Sequence, residues 1–528
     1  MPSLAADAWT PLRVAAFRAL WIAALTSQVG TWMQTVGAQW TLLAAPGAAT
    51  YTALVQTAST LPVLLLALPG GALADIFDRR RLLVGVQSCQ AVTAGAMAVL
   101  AALDRLSPAG LLGLTFVLGC GAALTVAPYQ ALIPELVPRP DLAAASALGS
   151  LSVNLARAVG PAAAGLLVAR AGPAAVFAVN AASFAVFAVV AAGLRRPPAT
   201  EPEVRPEPFL AAVRAGERYV RFSPVMRRIL VRIALFIAPA VAMWALLPVL
   251  AAHRLGLGAT GYGLLLAAVG AGAIGGAFLL PEARARLGQN QAYTLAGLTY
   301  AVVLAVLAVT RQPVVAAVAL VPAGAAWIVV LSNSNAAVQL FLPGWVRARG
   351  LSAYQFVFSG AQAVAAAAWG VAADRFGLVP ALLAAGGLLA VGVASVWWWP
   401  YLDTTRLDRG TAVHWPEPHL QIEPEETDGP VVVLLRYRVS PGRQHEFVAA
   451  MRRVRESRLR TGAVQWGVFR AGEDAGVMVE LYTVSSWAEH RRQHDERTTG
   501  ADRADEEAAR AFADGEPEVT HLFGTPHH

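Results

Sequence analysis

Arg157 sits far inside a long apolar run, and a guanidinium there is the strongest chemical signal in the chain. At 1.5 Å per residue from Leu142 it lies about 22 Å along its helix, near or just past the middle of a bilayer. A charge at that depth costs at least about 2.5 to 3.5 kcal/mol on insertion scales, so it calls for a watery cavity or a partner. Ser150, Asn154, Arg157 and Pro161 fall on one helical face. Polar stripes of similar spacing occupy three other apolar stretches: Gln28, Trp32, Thr35 and Gln39; Asn333, Asn335 and Gln339; Ser352, Gln355, Ser359 and Gln362. Any one of these residues could be hydrogen-bonding glue between helices. Four stripes together favour a polar cavity in which Arg157 supplies positive potential for an anionic or polar-aromatic small molecule.

A second constellation runs from Gly71 to Arg81, with Asp75, Asp78, Arg79, Arg80 and Arg81 packed between two apolar segments. Gly71 permits close helix contact, and Asp75 can accept from a nearby helix N-terminus or an arginine. A contact made in one conformation and broken in another is a latch. The competing reading is a charge cluster that only sets orientation. About 205 residues later the chain reads Gly276, Leu280, Arg284 and Arg286, keeping the glycine and two arginines but replacing the acid with Leu280. Orientation explains the arginines and leaves Asp75 unexplained, so the latch is expected to be one-sided.

The elements that must position these residues follow from hydropathy. The chain has 528 residues, 56% hydrophobic and 14% charged, which excludes an ordinary soluble protein. Residues 14–402 divide into twelve apolar spans, at roughly 16–44, 51–74, 80–103, 108–133, 142–169, 173–194, 229–251, 260–281, 292–310, 313–341, 351–373 and 378–401. Arginine crowds one side of them: Arg13, Arg18, Arg79, Arg80, Arg81, Arg139, Arg284, Arg286, Arg347, Arg349 and the central loop, against Arg105, Arg170, Arg254, Arg311 and Arg375. The location expected is the inner (plasma) membrane, and this bias puts both termini in the cytoplasm. The net charge of +7 belongs to the membrane part, so lipid, not nucleic acid, is the expected partner. Cys89 and Cys120 read as packing thiols, and the N-terminus shows no cleavable signal.

The domains expected are a six-helix half at 1–194, a cytoplasmic loop at 195–228, a second six-helix half at 229–402, an acidic Pro-rich linker at 403–428 and a small domain at 429–528. The motifs Ile133-Pro134 and Leu342-Pro343, 209 residues apart, suggest that the halves are repeats. Parallel repeats of this kind place a substrate site at their interface. In the last domain, an alternating strand begins at Val431, a helix runs from about Gly442 to Arg460, and strands follow at Val464–Arg470 and Val477–Val484. Helices from Ser486 and Asp502 and a strand at Val519–Phe523 complete a β-α-β-β-α-β order, which predicts a ferredoxin-like α+β domain. His490 and His494, one turn apart, have a spacing that can bind a metal, but no third ligand is evident and the expectation is a solvated polar helix face, with no metal and no cofactor.

The hairpin from Gly71 to Arg80 resembles the signature between the second and third helices of the major facilitator superfamily, over residues 14–402. Ser27, Gln28, Gly30, Trp32 and Gln34, with Asn154, Arg157, Gly160 and Pro161, resemble its bacterial exporter branch of the enterobactin-exporter (transmembrane secretion effector) type. The resemblance implies export by alternating access and proton coupling, although no acid lies deep in any span. Residues 430–524, with Trp487, Glu489, His490 and His494, resemble the dimeric α/β-barrel domains of antibiotic-biosynthesis monooxygenases. That implies dimerisation or binding more than catalysis. An uptake transporter and a membrane-tethered enzyme or sensor acting through its C-terminal domain are the alternatives.

Overall fold

The structure, a computed structural model, describes residues 9–194, 209–402, 404, 407–410, 412 and 420–524, without the side chains of 67–76 and 209–214. It resolves into two compact units: Met1–Glu201, Val231–Ser334 and Gln355–Pro400 form one, and Pro202–Leu230, Asn335–Tyr354 and Tyr401–His528 form the other.

The first unit is helical. Its elements are α1 (Ala15–Thr41), α2 (Ala48–Ile76), α3 (Arg79–Ala102), α4 (Pro108–Leu136) and α5 (Leu142–Gly193). After α6 (Phe209–Phe222) come α7 (Pro224–Val249), α8 (Ala259–Arg286), α9 (Gln289–Val309), α10 (Pro313–Phe341), α11 (Arg347–Phe376) and α12 (Leu378–Ala394). Nine helices among the described residues are long and apolar enough to cross a membrane. One of them, α5, has 52 residues, or about 78 Å, more than twice a bilayer core. Gly172 divides it: its φ of 75° is left-handed, and Pro173 follows, so two spans meet there in a sharp corner. The stripe of Ser27, Gln28, Gln34 and Gln39 lowers the hydropathy of α1, and α12 is short at 17 residues, which is why neither is among the nine.

Buried polar pairs knit the first half. Asn180 Nδ2 donates to Gln34 Oε1 at 2.6 Å and Gln34 Nε2 meets Met97 Sδ at 3.0 Å, tying α5, α1 and α3. The second half is pinned by Arg232 on α7, fully buried at 0% exposure. It donates to Gly392 O (3.0 Å), Ser395 Oγ (2.7 Å), Ser395 O (2.8 Å) and Trp399 O. These lie at the C-terminal end of α12, where helix carbonyls lack partners and a cation is favoured.

In the second unit, four strands, β1 (Val431–Arg438), β2 (Gln465–Arg470), β3 (Val477–Val484) and β4 (Glu518–Phe523), form one antiparallel sheet in the order β2-β3-β1-β4. Alternation buries Val431, Val433, Leu435 and Tyr437 against Phe447, Met451 and Val454 of α13 (Gln444–Thr461). Two shorter helices, α14 (Trp487–Arg492) and α15 (Gly500–Arg510), complete that layer. Phe222 of α6 joins the same core. Tyr219 meets Trp345 edge-on at 5.7 Å, and the Arg497 guanidinium lies 5.0 Å from the Trp345 ring. The chain between α10 and α11 therefore packs with the sheet domain.

Candidate transport pathway

The helices bring Arg157 to Trp32, whose ring centre is 5.7 Å from the guanidinium. Trp32 is 6.1 Å from Trp244 on α7, which is 5.6 Å from Trp327 on α10. An aromatic chain thus leads from the first half into the second, with the cation at its start. Arg157 Nε and Nη1 are buried and have no hydrogen-bond partner. A guanidinium carries five donors in a fixed fork, and leaving them unmet in a dry site is costly. An arriving acceptor would meet them.

The other stripe residues have diverse surroundings. Gln28 is half-buried on α1. Thr35 and Asn154 bond back to their own helices, at Thr31 O (3.1 Å) and Ser150 O (3.0 Å). Gln355 Nε2 donates to Ser359 Oγ at 2.9 Å, and Gln362 is buried one turn further along. Asn333 Oδ1 accepts from Arg284 Nε at 2.8 Å. Gln39 is not brought to Arg157; its Oε1 accepts from Tyr262 OH at 2.6 Å, across to α8.

That last bond belongs to a seam between the halves at one end of the bundle, called here the Gly377 end. A Cβ built on Gly165 of α5 would lie 2.5 Å from Ala259 O and 3.1 Å from Gly263 Cα of α8. A Cβ on Gly370 of α11 would lie 2.9 Å from Ala49 O and 2.6 Å from Ala53 Cβ of α2. Only glycine allows either approach. Thr57 Oγ1 donates to Ala363 O at 2.7 Å in the second seam. Asp374, just beyond Gly370, accepts from Ala49 N (3.3 Å) and Thr50 N (2.8 Å). About four turns toward the opposite end, Leu151, Ala277 and Phe356 on these helices are exposed. The halves are closely fitted at the Gly377 end.

At the Asp78 end, Gly71 and Asp75 lie outside the described side chains. Asp78 caps α3, accepting from Arg81 N at 2.9 Å with φ −56°, so an aspartate serves the turn without strain. Arg79 pairs with Glu135 at the end of α4. Arg80 Nε donates to Ala191 O at 3.1 Å, near the end of α5, while Arg81 is exposed. In the second half Arg284 also reaches Ser332 O at 3.2 Å, and Arg286 pairs with Glu282 at 2.6 Å.

The sheet domain holds its own polar interior. Glu480, at 0% exposure, accepts from Arg458 Nε (3.2 Å), Tyr437 OH (3.1 Å) and Trp466 Nε1 (2.9 Å). His490 and His521 approach Nε2 to Nε2 at 3.2 Å, and the His494 ring lies 4.8 Å from that of His490. Burial, then His521 and Arg458, push His490 down to about 3. His494 is held well below its ordinary range by burial and then His490, and His521 is lowered by burial. Three neutral imidazoles suit a packed core and not a solvated helix face, and no metal-holding cluster occurs among the described residues.

Sequence reading missed Arg232, Tyr262, Trp244 and Asp374. Arg232 carried a usable signal, a charge inside an apolar span, as Arg157 did. Asp374 sat beside the Gly377 turn and looked like a loop residue.

The comparisons with known proteins agree with this architecture. A bacterial homologue of the human lysosomal transporter Spinster, solved inward-facing and unoccupied, superposes with TM-score 0.60 at 14% identity, covering 74% of this chain and 97% of that one. The nucleoside transporter NupG gives TM-score 0.55 at 12% identity, covering 74% and 100%. Among curated sequences, the multidrug efflux pump Tap of Mycolicibacterium fortuitum is 31% identical over 212 residues, 39% of this chain. The staphyloferrin A transporter of Staphylococcus aureus is 28% identical over 142 residues, 27% of this chain. The chain spans 52% of the length of the first and 36% of the second. Residues 6–525 match the transmembrane secretion effector family, through the sheet domain as well as the helices, and the chain belongs to that family of major facilitator membrane transporters.

Proposed function

We propose that this transporter exports a small anionic or polar-aromatic molecule, of the siderophore, secondary-metabolite or drug-like class, by alternating access. The carrying observation is Arg157, whose Nε and Nη1 are buried and unmet beside Trp32 and the aromatic chain to Trp327. A cation with aromatic walls suits a planar ligand bearing a carboxylate or phenolate. The efflux pump and siderophore transporter among the relatives support export of such compounds. In this reading twelve spans cross the plasma membrane in two six-helix halves, both termini are cytoplasmic and the Gly377 end faces out. Asp75 is the latch at the cytoplasmic end, and proton exchange drives the cycle. Gln28, Thr35, Asn154, Asn333, Gln355, Ser359 and Gln362 line the path with Trp32.

The test is export from cells carrying the wild-type chain or Arg157→Ala at matched membrane abundance, followed by profiling the culture medium. The expected result is loss of one exported metabolite with Arg157→Ala and partial retention with Arg157→Lys. Undiminished export would remove Arg157 from the site.

The sheet order β2-β3-β1-β4 supports a ferredoxin-like reading of residues 429–528. Its helix-free face carries Val432, Leu434, Val479 and Leu481, with the exposed Phe469 and Leu522. An apolar face of this kind favours pairing with a second copy. Deleting residues 403–528 should leave export largely intact and abolish self-association; lost export would favour the tethered-enzyme alternative.

A further inference from the structure

The two seams at the Gly377 end are built alike. Gly370 lies over Ala49 and Ala53 as Gly165 lies over Ala259 and Gly263. One turn beyond each glycine the correspondence stops, because the α2–α11 seam has Asp374 where the α5–α8 seam has Ala169. Close packing is achieved without an acid in the α5–α8 seam, so packing does not account for Asp374. Its geometry does. The carboxylate spans the halves and accepts from Ala49 N (3.3 Å) and Thr50 N (2.8 Å), two first-turn donors of a 29-residue helix. Those N–H groups have no partner within their own helix, and the positive end of its dipole favours an anion.

We infer that Asp374 is a positioning residue of the transport cycle, a capping carboxylate lent by one half to a helix of the other that holds the Gly377 end closed. It rests on the alternating-access reading. Whenever the halves part at this end, Asp374 and the start of α2 must separate and return to water. The contact therefore stabilises only the closed state. By the usual effect of a side-chain N-cap, its bias is about 2- to 30-fold in the ratio of closed to open.

The experiment uses the full chain in lipid nanodiscs with Cys89 and Cys120 replaced by serine. Spin labels sit on Arg105→Cys and Arg311→Cys, exposed positions at the Gly377 end of each half. Pulsed electron resonance then reads the distance between them. Two distance populations are expected in the parent, with the longer one enriched about 2- to 30-fold by Asp374→Ala, less by Asp374→Asn, and largely restored by Asp374→Glu. Two populations that Asp374→Ala and Asp374→Asn leave unmoved in monodisperse protein would overturn the assignment. A single short distance in every variant and condition would overturn alternating access itself, and the latch with it.

Discussion

Replacing Gly370 with alanine tests how tightly the closed end is fitted. The added Cβ would sit 2.6 Å from Ala53 Cβ and 2.9 Å from both Ala49 O and Thr50 Cα, whereas ordinary contact begins at 3.4 Å. The seam must widen by roughly 0.5 to 1 Å, and overpacking of that kind costs about 1 to 3 kcal/mol. The cost falls on the closed state alone, because the open state separates α11 from α2. At a factor of ten per 1.4 kcal/mol, the closed population relative to the open one drops about 5- to 150-fold. Alanine also favours helix over glycine by about 1 kcal/mol, but that gain is common to both states and cancels from their ratio. The same label pair at positions 105 and 311 provides the assay. Gly149→Ala is the control, since a Cβ there meets nothing within 4 Å. Gly165→Ala, facing Ala259 O at 2.5 Å, should act like Gly370→Ala. If Gly370→Ala and Gly149→Ala give the same distance distribution, the seam is not a fitted gate and the reasoning fails.

Other expectations concern the rest of the molecule. Glu480→Gln keeps the shape of a buried carboxylate but leaves Arg458 with Glu506, at 2.7 Å, as its one acidic partner among the described residues; a loss of about 1.5 to 3 kcal/mol is expected as earlier urea unfolding of the sheet domain, followed by Trp466 fluorescence. His490 is depressed to about 3, so the unfolded chain takes up its proton near pH 6.5 while the folded one does not. That stabilisation is complete above about pH 6.5 and falls by about 2 kcal/mol on going to pH 5, a loss that His490→Phe should remove from an acid melting series. Arg232→Met removes the cation that closes α12; a clear drop in melting temperature in detergent is expected, without a change of substrate selectivity, and altered selectivity would place Arg232 in the pathway instead.

Much of the fold was legible because lipid imposes long apolar helices, and arginine placement, glycine-proline turns and strand alternation mark the boundaries. The stripe on α1 showed which face is polar but not what each residue meets: Gln39 turned out to bond Tyr262 across the seam, while Trp32 faces Arg157. Such partners come from helices far apart in sequence, and periodicity within one helix carries no information about them. Asp374 was hidden for a different reason. An acid next to a turn has the appearance of a solvated loop until the opposing helix start is seen beneath it. His521 illustrates the same limit in the sheet domain, where strand pairing places it opposite Val433 and next to His490.

The clamp made by Arg232 bears on how the last helix of the first unit is anchored. The chain leaves the helical unit at Pro400, immediately after Trp399, whose carbonyl Arg232 holds. Tension in the segment that follows is therefore transmitted through the guanidinium into α7 and does not peel the last turn of α12 from its neighbours. Arg232 works as strain relief, so the final helix stays seated whatever load the following segment carries.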